Sequence, residues 1–273
     1  MMKIGINQAV KCFGGFVRYY DTTEPLEQLA ALVSTGDSRN ILACCGGGNQ
    51  ALTMLGAGGG KDSLWAIDTN AAQLFVLAAK AIFLKQKKTM PSFGQLRRDY
   101  PGRIAAVKKN RRSLKQMQLC HTVTGGIIAP PAALVERYSL IMDGEMFISS
   151  KPGPFWQEDK LFISQVRARL NSLRFVQMDI FDSPEYFKKG SLDLIYLSDI
   201  YWSEALAYYQ AKLVRMVGLL RPGGRIISYL DPGDDFMGQG FSPGRMLVQQ
   251  AKKLSLKINM NQNGGYLVLE RTR

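Results

Sequence analysis

The sequence contains a single histidine, His121, and four cysteines, Cys12, Cys44, Cys45 and Cys120, with no C-x-x-C pair among them. A structural zinc site needs four Cys or His ligands at set spacings, which this inventory does not supply, so no metal site is expected. A Ser-His or Cys-His nucleophile would have to run through His121, and no G-x-S-x-G elbow is present, so that chemistry is disfavoured too. Long hydrophobic runs are also missing. The longest, Ala71 to Leu84, is interrupted by Gln73 and Lys80 and falls short of the roughly 18 residues a membrane span needs. MMKIGINQAV at the start carries no continuous apolar stretch and no small-residue cleavage site, so the expected location is cytoplasmic. Acidic residues are few, 22 against 35 Lys and Arg, for a formal charge of +13. Most of that imbalance lies in residues 85–115, where eleven basic side chains face one acidic one, Asp99.

What the sequence does have is a 273-residue chain, 46% hydrophobic, with ample material for an α/β core. NILACC (40–45) reads as a buried strand running into a Gly46-Gly47-Gly48 turn, followed by a helical pattern from Asn49 to Leu55. SLWAID (63–68) reads as a second strand, followed by a helix to about Lys87 with Leu74, Leu77, Ala78, Ala81 and Leu84 on one face. Two strand-then-helix units in succession imply a parallel sheet. From about 88 to 160 the alternation stops, with six prolines and two expected helices, 103–118 and 132–140, which reads as an insertion over the sheet. The alternation resumes with a helix at 159–170, strands at 174–178 and 192–197, and a helix from Ser203 to Leu220. RPGG (221–224) reads as a glycine stop before a strand at 225–230. A helix at 243–254 and two short strands, 256–260 and 266–271, close the chain. The expected fold is a Rossmann-like, doubly wound, mostly parallel seven-stranded sheet with an antiparallel last strand. The helical insertion falls between strands 2 and 3, and residues 1–36 form an N-terminal arm or lid on the domain at 37–273.

Gly46-Gly47-Gly48-Asn49-Gln50-Ala51 fits G-x-G-x-x-A between a strand and a helix, a pattern in which the backbone can approach a ligand closely. Asp68, at the end of the next strand, suits a carboxylate that accepts from a ribose diol. A dinucleotide would satisfy both features. Asp179, with Ile180 beside it at the end of the third strand, can meet an adenine edge. The segment LRPGGRIIS (220–228) resembles the turn into the fifth strand of class I S-adenosylmethionine-dependent enzymes, which favours that cofactor. A P-loop is rejected: in Gly56-Ala-Gly-Gly-Gly-Lys61, Leu55 stands in the first glycine's place and Asp62 replaces Ser or Thr, so the segment reads as a flexible connection.

CGGGNQAL (45–52), followed by DTNAAQL (68–74) and later YLSDIYW (196–202), resembles the S-adenosylmethionine:diacylglycerol 3-amino-3-carboxypropyl transferases of betaine-lipid synthesis. Ala71 stands where that family has proline, and Cys44-Cys45 where a serine is usual. The resemblance implies transfer of the 3-amino-3-carboxypropyl group to a hydroxyl or amine acceptor, lipid-like by analogy. In that reading Asn70 and Gln73 hold the ribose or the amino-acid tail, and Ser198 joins the cofactor residues. Asp199 acts as base with Tyr201 assisting. A methyltransferase of the same fold acting on a small molecule, and a basic binding module that uses no cofactor, are the alternatives. The basic segment 85–115, with Phe93 and Tyr100 interleaved, suits an anionic membrane surface and peripheral attachment at its inner face. Nucleic acid is disfavoured, since no recognised module is present.

Overall fold

The computed structural model describes residues 16–17, 24–68, 71–87, 89–92, 95, 98, 105–106, 154–198, 206–229, 251–254, 256–261 and 265–272. Of the expected helix at 103–118 only Ala105–Ala106 are described, and they pair as a strand, not a helix; the expected helix at 132–140 and most of the one at 243–254 lie outside these residues. Seven strands form one sheet: β1 (Asn40–Cys44), β2 (Ser63–Asp68), β3 (Leu173–Gln177), β4 (Leu192–Tyr196), β5 (Leu220–Tyr229), β6 (Lys257–Asn261) and β7 (Tyr266–Glu270). Their order across the sheet is 3-2-1-4-5-7-6. Strands β3, β2, β1, β4 and β5 are parallel, and β7 runs antiparallel to both β5 and β6. This is the expected doubly wound sheet. Its direction of winding reverses between β1 and β4, where an open α/β sheet leaves a crevice at the carboxyl ends of the strands. A separate two-residue pairing joins Phe16–Val17 to Ala105–Ala106.

Alternate residues of each strand go to opposite faces, which divides the core in two. On one face Ile41, Ala43, Leu64, Ala66, Phe175 and Tyr196 pack under four helices: α1 (Leu26–Ser34), α2 (Asn49–Gly56), α3 (Ala71–Lys87) and α4 (Lys160–Arg169). On the other, Leu42, Ile67, Val176 and Ile195 pack under α5 (Leu206–Val217) and the 3-10 turn Ile180–Glu185. Helix α1 lies in the segment read from sequence as an arm, and its Leu26, Leu29 and Val33 are buried in the first of these cores.

Two local readings are corrected. The RPGG segment does not stop short of the strand. β5 begins at Leu220, which pairs with Leu192, and a register irregularity between Leu192 and Leu194 absorbs the extra residues before Arg225 pairs with Leu194. The Gly56–Lys61 segment is a packed turn, not a loose connection. Gly59 and Gly60 are buried, with their N–H groups on the carbonyls of Met54 and Ser38. Near the chain's return from the insertion, Trp156 is buried, donates from Nε1 to Thr53 Oγ1 at 2.7 Å and stacks on Phe162. Asp159 then caps α4, accepting from the N–H groups of Leu161 and Phe162.

Candidate functional site

Strand register places the expected site residues along one edge. Cys44 pairs with Ile67, and Cys45 donates its N–H to Ile67, so the glycine turn begins level with Asp68. Asp68 pairs with Gln177, two residues before Asp179, and its carbonyl accepts from Met178. On the other side Ala43 pairs with Tyr196, so Ser198 stands level with Cys45. Gly46 to Gly48, Asp68, Asp179 and Ser198 therefore follow the carboxyl ends of four adjacent strands, β1, β2, β3 and β4, across the point where the winding reverses.

The glycine turn is held by one face of α3. Gln73 donates from Nε2 to the Gly46 carbonyl at 2.6 Å, and Lys80 donates from Nζ to the Gly47 carbonyl at 2.8 Å. Leu77 packs so closely against Gly48 that a Cβ there would lie 2.9 Å from the leucine Cβ. Residues 73, 77 and 80 follow the i, i+4, i+7 spacing that puts side chains on one helix face. Gly48 also has φ of 86°, a conformation that favours glycine. Lys80 is fully buried and gives a second hydrogen bond to Asn49 Oδ1 at 2.8 Å, tying the turn to the start of α2. The two residues that interrupt the apolar run in the sequence are thus the two that bind the turn. Gln73, expected to reach a ligand, here directs its amide nitrogen to the backbone that would cradle one.

Beneath the turn, the Cys45 thiol is buried and pushed well up, first by desolvation and then by the Asp68 charge, with Lys80 opposing. A thiol so placed is a core side chain and not a nucleophile.

Asp179 does not end β3, which stops at Gln177. It is the N-cap of the 3-10 turn, accepting the Phe181 N–H on Oδ1 at 3.0 Å, with Ile180 buried beside it. Its other oxygen, Oδ2, is buried and accepts no hydrogen bond from the described residues. Burial raises its carboxyl above the ordinary value, with Asp182 adding to the effect; the Phe181 N–H and, more weakly, Lys212 oppose it.

Ser198 is the one non-glycine residue with positive φ among those described, at 53°. Its carbonyl accepts from Tyr229 N and from Ser228 Oγ, and its own hydroxyl donates to Glu24. Tyr196 and Tyr266 also donate to that buried carboxylate. Burial, followed by the Glu24 charge, pushes the Tyr266 phenol far above its ordinary range.

Sequence reasoning did not single out Glu24 or Lys80. A lysine on the apolar face of a helix, at spacing 7 from a glutamine, is a signal that could have found Lys80. Nothing local marks Glu24. Asn70, Asp199 and Tyr201 lie outside the described residues. Of the basic side chains of that segment, Lys85 and Arg98 are exposed, and the others are outside the description. Among the described residues no group of His, Cys, Asp or Glu is arranged to hold a metal, and no helix is long and apolar enough to cross a membrane.

No family profile matches the chain, and no curated protein sequence matches it. Among solved structures, it is similar to the N-methyltransferase NodS of Bradyrhizobium japonicum, at 12% identity and a TM-score of 0.45, over 91% of this chain and 94% of that one. It is also similar to an S-adenosylmethionine-dependent O-methyltransferase of Thermotoga maritima, at 8% identity and TM-score 0.40, over 93% of this chain and 67% of that one. A third similar structure is the 1,6-didemethyltoxoflavin-N1-methyltransferase of Burkholderia thailandensis, at 12% identity and TM-score 0.39, over 91% and 78% of the two chains.

Proposed function

We propose that this chain is an S-adenosylmethionine-dependent transferase, moving the 3-amino-3-carboxypropyl group to a hydroxyl or amine acceptor of lipid-like character. The observation that carries the cofactor reading is the alignment of the glycine turn, Asp68, Asp179 and Ser198 along four neighbouring strand ends at the crevice. At about 4.8 Å per strand, β3 to β4 spans roughly 14 Å, about the length of a nucleoside carrying an amino-acid tail. The residues fit that group on a feature of the structure itself: the buried Asp179 Oδ2 has an acceptor position free for the amine of an adenine. Asp68 would hold the ribose hydroxyls, the N–H groups at the start of α2 would meet the tail, and Ile180 would pack on the base.

When bound, the cofactor supplies carbons activated by a sulfonium. Which carbon is attacked depends on which one the acceptor faces in line, and that is set by the chain's positioning of both partners. In this reading Asp199, next in sequence to Ser198, takes the acceptor's proton with Tyr201 assisting. The larger-group transfer is supported by the DTNAAQL and YLSDIYW segments. The basic segment 85–115 is the part we assign to an anionic lipid surface, tested by sedimentation with anionic liposomes, where binding should weaken as salt rises.

Nucleoside-product analysis tests the reaction. Release of methylthioadenosine is expected, whereas S-adenosylhomocysteine would replace this reading with methyl transfer. Calorimetry with S-adenosylmethionine tests the site: Asp68→Ala should weaken binding at least tenfold. No binding by wild type, with the variant indistinguishable, would leave only a binding module.

A further inference from the structure

The Gly46–Gly47 peptide has no Cβ on either side, so it can rotate by half a turn at little steric cost. Two orientations are open to it, one with the carbonyl toward α3 and one with the N–H there. Gln73 holds the first. Its side chain is buried, and its Nε2 donates to the Gly46 carbonyl at 2.6 Å. Lys80 takes the next carbonyl, that of Gly47, from the same helix. In a trans peptide the N–H points opposite to the carbonyl, so the Gly47 N–H is turned away from α3. Helix α3 packs over β2 and β3, and the strand order is 3-2-1-4, so the direction away from α3 leads toward β4 and the crevice.

Gly47 is buried, yet among the described residues its N–H meets no acceptor, whereas the neighbouring Gly48 N–H goes to the Cys45 carbonyl at 2.8 Å. A buried backbone donor without an acceptor is rare in a folded chain, and at a crevice it marks a place for an acceptor from outside the chain. We propose that Gln73 is a positioning residue that makes this site select ligands whose tail ends in a carboxylate. It does so by fixing the Gly46–Gly47 peptide with its N–H outward. The flipped peptide would present the Gly46 carbonyl instead, and an oxygen there repels an anion. The inference rests on the cofactor reading above and adds a specificity residue to it. Gln73 acts on the tail through the peptide it holds and needs no contact with the ligand.

The test compares two neutral thioether nucleosides that differ only in the tail carboxylate, S-adenosylhomocysteine and S-adenosyl-3-thiopropylamine. Both are titrated calorimetrically into the full chain, as wild type, Gln73→Met and Gln73→Glu. Methionine has nearly the volume of glutamine and no donor, and glutamate would accept from the peptide N–H where glutamine donates to the carbonyl. A hydrogen bond to a charged group corresponds to about tenfold or more in affinity. Wild type should therefore prefer the carboxylated nucleoside, and Gln73→Met should lose about tenfold of that preference, with the affinity for the amine held within about threefold. Gln73→Glu should lose at least as much. If the two affinities fall together and their ratio holds, Gln73 only supports the fold of the turn and the inference is overturned. An equal affinity of wild type for the two nucleosides, or an unchanged ratio in the variants, also refutes it while leaving the cofactor reading in place. If wild type binds neither nucleoside, the cofactor reading fails and the inference with it.

Discussion

Replacing Gly48 with alanine tests the central claim about the glycine turn, that α3 holds it in place by direct contact. Two costs are expected. The first is conformational: φ at Gly48 is 86°, and an L-residue in that region costs about 1–2 kcal/mol. The second is steric. The new Cβ would lie 2.9 Å from Leu77 Cβ, 3.0 Å from its Cδ1 and 3.1 Å from its Cα, and of these only the Cδ1 can rotate away. Overpacking of this kind costs about 1–3 kcal/mol. Gly58→Ala separates the two, because Gly58 has φ of 97° but nothing within 4 Å of its Cβ position. Urea unfolding should thus give a loss of about 1–2 kcal/mol for Gly58→Ala and about 2–5 kcal/mol for Gly48→Ala. Nucleoside binding should weaken only in the latter. Equal losses in the two variants, within about 0.5 kcal/mol, would mean that α3 yields to the turn and does not hold it.

Lys80→Met removes two hydrogen bonds from a buried ammonium, each worth about 1.5–3 kcal/mol, but also removes the cost of burying the charge. A net loss of about 2–4 kcal/mol with weakened nucleoside binding is expected, and wild-type values for both would refute the role given to Lys80. Asp179→Asn should do the opposite to stability. Because burial raises the carboxyl above its ordinary value, the native state binds that proton more tightly than the unfolded chain does, and stability is lost as pH rises through and beyond that ordinary value. The variant should therefore be the more stable protein at about pH 7 and converge with wild type near pH 3 by thermal unfolding, while binding adenine nucleosides less tightly. A pH-independent difference would refute the assignment. Trp156→Phe deletes the donor to Thr53 Oγ1 and should cost about 1–3 kcal/mol in chemical denaturation. No loss would show that Trp156 stacks on Phe162 without anchoring the return from the insertion.

Much of the sheet was legible without coordinates because its signals are local. The apolar runs of β1, β2, β3 and β4 carry their own periodicity, and the Gly46–Gly48 turn carries its own backbone requirement. Asp68 follows from counting along a strand. The misreadings have equally local causes. RPGG looks like a stop by composition, and only the pairing of Leu220 with Leu192 shows that the strand has already begun. The Gly56–Lys61 glycines look loose until Val33 and Ile41 are packed against Gly59.

The sequence by itself determined the alternation of strands and helices, the place of the glycine turn and the acids that follow neighbouring strands. Each depends on residues within a turn or two of one another. Tertiary structure decided which side chains serve that turn and which carboxylate meets the end of β4. Lys80 meets Gly47 across 33 residues, and Glu24 meets Ser198 across 174. No periodicity or turn rule spans such separations, because they are set only when α3, docked on β2 and β3, meets the turn that follows β1, and when the residue before α1 docks against β4 and β7.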